Sequence, residues 1–314
     1  ARTGLSIQKM RIAPDGSVWG YGSLGSISRS TDGGTSWEQF TTGISTVVYD
    51  VSFPDATTAV AACGNGVLLR SVDNGATWTQ IAAPYGTDVI SVDFSSPTHG
   101  IALQQPRYVL RSTDGGQSWS DTTFGVNQLT QVRFATEETG WIVSNSPGSV
   151  YRTQNGGVSW ESVTVEPTRR YTFLGILPVD AQRAMLMGVG GAIFTTDDAG
   201  AQWTQRGTAF TRNHLHGVTA FNDSTAWVFG RASAFLTRDR GQNWTGSDTI
   251  SLPGFRYGMA LSETRLIGAG TQGEVYLSTD AGVTWSSQTL AAAGQIQDIE
   301  FVDAQNGWLA GAHG

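Results

Sequence analysis

The segment STDGGTSW at residues 30–37 recurs in related form six more times along the 314-residue chain. We call this eight-residue segment the box. Successive boxes end at Trp37, Trp78, Trp119, Trp160, Trp203, Trp244 and Trp285. The spacings between these tryptophans are 41, 41, 41, 43, 41 and 41 residues. Fixed self-similarity at such a period is typical of solenoids and propellers, because each unit buries its apolar faces only against its neighbours.

The residues of the box predict a tight turn. A short carboxylate or amide side chain accepts backbone N–H groups in such a turn, and glycine takes backbone angles that a Cβ atom would disfavour. We expect the box tryptophans to pack between neighbouring sheets, where each buried ring would remove about 150–250 Å² from water. Asn155 keeps only part of the carboxylate's role. The turn-forming position is occupied by Asp32, Asp73, Asp114, Asn155, Asp198, Asp239 and Asp280.

The segments between boxes read as short strands. A β-rich run such as YDVSF precedes a second, TAVAACG, and a third, GVLLRS, which leads into the box and a fourth strand. Four antiparallel strands per repeat form a propeller blade. We therefore predict an all-β fold, a single β-propeller domain over residues 1–314.

One part of the pattern leaves the number of blades open. First and second strands occur eight times, whereas third and fourth strands occur seven times, so a half repeat remains at about residues 293–314. We predict seven blades, and an eighth remains the alternative. The exposed strand edge of a half blade would invite pairing with another chain, which would give self-association.

The composition excludes some classes of partner. The net charge of −7 argues against nucleic acid and anionic lipid surfaces, which attract broadly positive proteins. No apolar stretch reaches the length of a membrane span, and the lone Cys63 cannot form a disulfide within one chain. The sequence predicts no cofactor and no metal, since His214 and His216 lack an evident third ligand.

The boxes resemble the Asp-box, or bacterial neuraminidase repeat, superfamily, whose form is S/T-x-D-x-G-x-T/S-W. The wider unit, with VSF, then NGWLAG, then RSTDGGTSW, is similar to the photosystem II assembly and stability factor family. This resemblance covers essentially the whole chain. It implies a scaffold or binding role in assembling a membrane or surface complex. We expect an extracytoplasmic location, which includes periplasmic, secreted and cell-surface proteins, and Ala1 could follow a cleaved signal.

The loops that join a fourth strand to the next first strand lie opposite the boxes, where loop-borne function is expected. In repeats four to six they read VEPTRRYTF, RGTAFTRNHLHG and SLPGFRYG. Arginine pairs with carboxylates and aromatic rings offer rigid apolar area, so we predict a patch that binds a protein partner. The alternative is that these are solvated loop arginines. The predicted patch consists of Arg169, Arg170, Tyr171, Arg206, Arg212, His214, Arg256 and Tyr257.

The resemblance to the assembly factor family bears on two of these residues. That family carries an arginine-rich patch on one propeller face, and TRRYTFLGI is similar to the corresponding run. The resemblance therefore implies a binding role for Arg169 and Arg170.

A catalytic alternative comes from the same superfamily, because sialidases and xyloglucanase-type glycoside hydrolases also carry Asp boxes. Propeller enzymes usually build a cleft from long insertions, whereas these repeats differ by two residues at most. We expect short connections that leave no deep pocket, and we assign no catalytic residue. The sequence therefore favours a binding protein over an enzyme, with a glycan ligand and a structural module of a surface assembly left as alternatives.

Overall fold

The computed structural model describes residues 7–122, 128–146, 149–165, 171–207, 214–220, 222, 224–230, 233–247, 257–270, 273–289, 296–301 and 307–311. The chain forms two compact units, which are described separately. The first unit is Ala1–Ser146 with Val150–Ser162, and the second is Val163–His313 with Pro147–Ser149. The assignment of residues 1–314 to a single domain stays a prediction.

The first unit holds four blades, each an antiparallel sheet of four strands in chain order. Blade 1 is β1 (Ile7–Ile12), β2 (Val18–Gly22), β3 (Ile27–Ser30) and β4 (Glu38–Phe40). Blade 2 is β5 (Val48–Ser52), β6 (Ala59–Cys63), β7 (Val67–Ser71) and β8 (Thr79–Ala82). Blade 3 is β9 (Val89–Phe94), β10 (Gly100–Gln104), β11 (Tyr108–Ser112) and β12 (Ser120–Asp121). Blade 4 is β13 (Leu129–Phe134), β14 (Gly140–Ser144), β15 (Val150–Thr153) and β16 (Glu161–Val163).

The second unit holds three more blades and a two-stranded sheet. Blade 5 is β17 (Phe173–Pro178), β18 (Ala184–Gly188), β19 (Ile193–Thr196) and β20 (Thr204–Gly207). Blade 6 is β21 (Leu215–Ala220), β22 (Ala226–Gly230), β23 (Ser233–Thr237) and β24 (Thr245–Ser247). Blade 7 is β25 (Tyr257–Ala260), β26 (Leu266–Ala269), β27 (Glu274–Ser278) and β28 (Ser286–Thr289). The two-stranded sheet is β29 (Ile296–Phe301) with β30 (Gly307–Gly311).

The all-β fold with seven four-stranded blades is thus confirmed, and the leftover half repeat is the β29–β30 sheet. The helical content of the described residues is two short 3-10 turns, Ser23–Gly25 and Val189–Gly191. Within the described part of the chain, no helix is long and apolar enough to span a membrane.

Burial follows strand order within a blade. The second strands of blades 1 to 6 are buried at every position, as in β6 and β10, whereas the fourth strands β4 and β8 are mostly exposed and β28 is exposed at every position. Apolar side chains of neighbouring blades meet face to face in each unit, as Trp19 of blade 1 does with Val51 and Ala61 of blade 2. The core therefore lies between adjacent sheets, which is the packing that the repeat period predicts.

The box forms the turn between third and fourth strands, as expected. In blade 1, the backbone N–H of Ser36 donates to Asp32 Oδ1 at 3.0 Å, and its hydroxyl donates to Oδ2 at 2.6 Å. Gly75 shows why glycine is needed, since its φ is 92° and a Cβ there would lie 2.7 Å from Phe40. The equivalent backbone bond recurs in the other six boxes, with acceptors Asp73, Asp114, Asn155, Asp198, Asp239 and Asp280.

The burial of the tryptophans differs from the expectation. The box tryptophans do pack between sheets, as Trp78 of blade 2 meets Trp19 of blade 1 edge-on at 6.2 Å between ring centroids. Five of the seven are only half-buried, and Trp203 and Trp244 alone are buried. The rings with the least exposure are Trp19, Trp141 and Trp227 of the second strands, at 0–2%. The second-strand rings therefore fill the core, and most box rings cover its rim.

Candidate binding site

The predicted loop patch is described at four of its eight residues. Arg169, Arg170, Arg212 and Arg256 lie outside the described residues. Tyr257 opens β25, where its backbone pairs with Ala269 of β26. His214 is exposed and directly precedes β21. The binding role of the patch stays a prediction.

Tyr171 and Arg206 occupy the described part of this patch in blade 5. Tyr171 is only 7% exposed, and its ring meets Phe194 edge-on at 5.1 Å. Gln205 Nε2 donates to the Tyr171 hydroxyl at 2.8 Å, and Arg206 Nε donates to Thr195 Oγ1 at 3.0 Å. Tyr171 thus fixes the loop end to β20, and its ring faces the core of the blade.

The sequence reading missed an ion-pair network on the first strands of the first unit. Asp50 on β5 accepts from Arg11 of β1 and from Arg133 of β13, each at 3.1 Å. Asp93 on β9 lies 3.4 Å from Arg11 Nη2. Asp50 directly follows a register shift in β5, and such bulges re-aim the side chain that follows. These four residues, which we call the first-strand network, connect all four blades of the unit.

The two carboxylates of the network also accept backbone N–H groups. Asp50 Oδ2 accepts from Val92 N–H at 3.2 Å, and Asp93 Oδ2 accepts from Phe134 N–H at 2.8 Å. Ser91 and Ser52 add hydroxyl contacts, with Ser91 Oγ donating to Asp50 Oδ2 at 3.0 Å. First strands of adjacent blades do not pair in one sheet, so these side chains bridge them. The network is therefore an inter-blade connector.

The environments of the two carboxylates move their pKa values in opposite directions. Burial would raise the pKa of Asp50, but the charges of Arg133 and Arg11 outweigh burial and lower it to about 2. Burial raises the pKa of Asp93, since Arg11 and Arg133 offset it only in part and the Asp50 charge adds to it. Asp50 is thus the ionised centre of the network.

A second group that the sequence reading missed lies in the short loops of the first unit. The rings of Tyr85 and Tyr108 stack with centroids 3.7 Å apart, and the Arg107 guanidinium lies 5.8 Å from the Tyr108 centroid. The Tyr85 hydroxyl donates to Asp121 Oδ2 at 2.6 Å. The sequence did not predict this group, because its two tyrosines come from different parts of the repeat. Tyr85 lies in the loop AAPYGTD, and Tyr108 is the first residue of β11. Arginine and aromatic rings therefore occur together in blade 3 as well.

The expectation that short connections leave no deep pocket stays a prediction, and an open recess is present in the second unit. A cavity of about 30 Å³ lies between blades 5 and 6, beside an open recess of about 470 Å³. Both are lined by Arg183, Asp197 and Arg240 at the box end of the blades. Connections are short here too, so the space arises from the side chains that pack between the two blades.

In the described part of the chain, no group of three or more histidine, cysteine or acidic side chains is placed to hold an ion, and the absence of a metal stays a prediction. The thiol of Cys63 is buried, and burial raises its pKa.

Comparison with known structures agrees with the blade geometry. A structure of YCF48 bound to D1 peptide has a TM-score of 0.63 and 21% identity, covering 85% of this chain and 91% of that one. YCF48 from Cyanidioschyzon merolae has a TM-score of 0.66 and 15% identity, with coverages of 89% and 96%. The GH74 xyloglucanase from Xanthomonas campestris has a TM-score of 0.64 and 14% identity, with coverages of 100% and 52%. No curated protein is similar enough to match the chain.

The repeated four-stranded blades and these likenesses define a β-propeller. The model of one family of propellers matches residues 70–209 and 179–310. The chain belongs to that family, the photosynthesis system II assembly factor YCF48 family, which confirms the resemblance carried by the box repeats. Membership indicates a role in assembly or binding. The likeness to GH74 enzymes, at 14% identity, extends to the fold alone.

Proposed function

We propose that this chain is a non-catalytic binding protein that assists assembly of a membrane or surface complex. Family membership is the observation that carries the proposal. A family relative, YCF48, is known bound to D1 peptide, which supports a protein segment as the partner. The named complex and the identity of the segment are not carried over to this chain.

The loops of repeats four to six are the surface that we propose for this partner. Arg169 and Arg170 follow each other in the loop after blade 4, and Arg206, Arg212 and Arg256 occur in the next two loop regions. On a chain with a net charge of −7, such local clustering of arginine favours a partner segment that carries carboxylates. Tyr171, the residue that follows Arg170, accepts from Gln205 Nε2 at 2.8 Å, so the described end of this segment is attached to β20.

The test is a pair of charge reversals with a matched control. Wild-type chain, the Arg169→Glu/Arg170→Glu variant and an Arg238→Glu variant are immobilised and exposed to detergent-solubilised membranes of the native source. Arg238 is an exposed arginine at the box end of blade 6, so it controls for the loss of positive charge alone. We expect a discrete set of proteins retained by the wild type and by Arg238→Glu, and lost with the double variant. Equal retention by all three chains would count against the loop surface.

The location of this activity belongs to the same proposal. An assembly factor must lie on the same side of the membrane as the protein segments that it contacts. We propose that this chain acts on the extracytoplasmic side. Protease treatment of intact and lysed spheroplasts tests this in a cell that has a periplasm. Digestion before lysis supports the proposal, and protection until lysis opposes it.

A second candidate function, a structural module of a larger surface assembly, rests on the β29–β30 sheet. Within the described residues, β30 pairs with β29 alone, whereas the second strand of each blade pairs on both sides. An open strand edge can accept a strand from another copy of the chain. Light scattering at increasing concentration separates this candidate from the first, because a constant monomer mass argues against edge-mediated assembly.

A further inference from the structure

A cation and two aromatic rings form one group at the end of blade 3 opposite the boxes. Tyr85 belongs to the loop between β8 and β9, and Arg107 directly precedes Tyr108 at the turn between β10 and β11. The two rings lie 3.7 Å apart between centroids with their planes at 17°, and the Arg107 guanidinium is 5.8 Å from the Tyr108 centroid. We call these three residues the tyrosine stack. All of them belong to the first unit.

Buried and short hydrogen bonds hold the tyrosine stack in position. Gln104, which is fully buried, donates from Nε2 to the carbonyl oxygens of Tyr85 and Thr87. The Tyr85 hydroxyl donates to Asp121 Oδ2 of β12 at 2.6 Å, so the backbone and the ring of Tyr85 are both attached to blade 3. Side chains that are ordered before binding avoid the entropy cost of becoming ordered on binding. The stack is therefore a preorganised surface.

The tyrosine stack departs from the repeat at two successive positions. In blade 2 the position of Arg107 is occupied by Gly66, which has a φ of 71° and where a Cβ would clash with the Tyr85 carbonyl oxygen. Blade 3 has a long side chain there and an aromatic ring at the next position, so the repeat fold itself requires neither. At the position of Arg107 the other six repeats have Gly25, Gly66, Gly148, Gly191, Ala232 and Gly273. At the position of Tyr108 they have Ser26, Val67, Ser149, Ala192, Ser233 and Glu274.

Arg107 carries a charge that the described part of the chain does not neutralise. Arg107 is exposed, and among the described residues its guanidinium contacts the Tyr108 ring and has no hydrogen bond or ion pair. A guanidinium that rests on an aromatic ring keeps its N–H donors in its own plane, where a carboxylate can pair with two of them. The two prolines next to the stack, Pro84 and Pro106, are exposed as well and add apolar surface.

We propose that the tyrosine stack binds an acidic residue that neighbours an aromatic residue in a partner segment. The carboxylate pairs with Arg107, and the aromatic ring packs on the apolar surface of the stack and its prolines. The site takes the class of its ligand, a protein segment, from the proposed function. It lies in blade 3, outside the loops of repeats four to six.

The test uses a defined probe and the tyrosine rings as reporters. The probe is the capped peptide acetyl-Gly-Glu-Phe-Gly-amide, with its glutamine analogue as control. The chain has eight tyrosines, and selective ¹³C labelling of their rings allows Tyr85 and Tyr108 to be assigned with Tyr85→Phe and Tyr108→Phe variants. We expect both signals to shift and saturate with the glutamate peptide, while the buried Tyr21 of blade 1 stays unmoved. Stationary signals, or equal affinity for the glutamine peptide, would overturn the proposal.

A charge variant and a matched control make the test specific. Arg107→Gln changes an exposed side chain, so the melting temperature should hold while affinity for the glutamate peptide falls about fivefold, the worth of an exposed ion pair. Arg238→Gln removes an equally exposed charge from blade 6 and should leave the affinity unchanged. Unchanged affinity in Arg107→Gln contradicts the charge assignment. Shifts with a xyloglucan oligosaccharide and none with the peptide would assign the rings to a glycan instead.

Failure of this site and failure of the proposed function can be told apart. If the peptide binds and Arg107→Gln weakens it, but the wild-type chain retains no membrane protein, the site stands and the assembly role falls. If the membrane experiment gives the expected loss with Arg169→Glu/Arg170→Glu, but the peptide leaves the stack signals unmoved, the loop surface stands and the blade 3 site falls.

Discussion

Asp50 and Arg133 are 83 residues apart in the chain, yet Arg133 Nη1 donates to Asp50 Oδ2 at 3.1 Å. They lie on the first strands of blades 2 and 4, with blade 3 between them in the chain. The same carboxylate accepts from Arg11 of blade 1 and from Val92 N–H of blade 3. A single buried aspartate of blade 2 therefore contacts blades 1, 3 and 4. It joins sheets that share no strand pairing.

Replacement of Asp50 should destabilise the first unit more than the same replacement of Asp93. Asp50→Asn leaves Arg11 and Arg133 without their ionised partner, and the lowered pKa of Asp50 corresponds to roughly 2 kcal/mol of stabilisation. Burial raises the pKa of Asp93, so its ionised form is less stabilised than that of Asp50. We therefore expect Asp93→Asn to lower the free energy of unfolding by about 1 kcal/mol or less. Urea unfolding of both variants checks the order. A larger loss in Asp93→Asn would contradict it.

The stability of the chain should fall in acid because of Asp50. Its pKa is about 2 in the folded state and 3.8 ordinarily, so the unfolded state binds more protons between these values. The stabilisation is complete above about pH 4 and is lost as the pH falls toward 2. Asp93 acts in the opposite sense, because its raised pKa makes its ionisation costly as the pH rises.

Melting temperatures between pH 2 and 6 measure this dependence. The box aspartates contribute in the same direction as Asp50, since hydrogen bonds from Ser36 lower the pKa of Asp32 to about 2. The Asp50→Asn variant separates the two sources, and its curve should be flatter than that of the wild type. Parallel curves would show that Asp50 does not contribute.

Second-strand tryptophans should matter more to stability than most box tryptophans. Trp19 is 2% exposed and contacts Phe40, Phe53 and Trp78, so Trp19→Ala should cost about 3–5 kcal/mol. Trp119 is half-buried, so Trp119→Ala should cost less. Chemical denaturation of the two variants measures the difference. Equal losses of stability would show that the box tryptophans contribute as much to the core as the second-strand tryptophans.

The asparagine in the fourth box offers a stabilising substitution. Asn155 Oδ1 accepts from Ser159 N–H at 3.0 Å, and Asn155 Nδ2 donates to the Ser159 hydroxyl. In the third box, by contrast, Asp114 accepts both the N–H and the hydroxyl of Ser118. A charged acceptor strengthens such bonds, so Asn155→Asp should add about 0.5–1 kcal/mol. The reverse change, Asp114→Asn, should remove a similar amount. Thermal unfolding of both variants tests the pair, and a destabilised Asn155→Asp would count against it.

The blades and boxes could be predicted because their determinants are local. Asp32 bonds Ser36 four residues away, and the same spacing recurs in all seven boxes, so the pattern is visible in one dimension. The β-rich runs between the boxes also indicate where strands run. These signals predict strand order and turn position, and they favour seven blades over eight.

The first-strand network and the recess depend on contacts between repeats. Arg11 and Asp93 are 82 residues apart, and no spacing within one repeat relates them. Alignment of the repeats by register would have given a signal, because Arg11, Asp93 and Arg133 are charged residues at the same register position of their first strands. The same alignment shows Met185 where blades 1, 4 and 6 have tryptophan. Side-chain burial was harder to predict, since the sequence does not distinguish a core ring such as Trp19 from a rim ring such as Trp78.

Site-specific photo-crosslinking tests the proposed binding surface most directly. A photoreactive amino acid is placed at Arg170 in the loop after blade 4, and in a second chain at Thr35, an exposed residue of the first box. Both chains are irradiated with membranes of the native source. The account predicts a discrete protein adduct from position 170 and none from position 35. Adducts from position 35 alone, or the same adducts from both, would contradict a binding surface in the loops opposite the boxes.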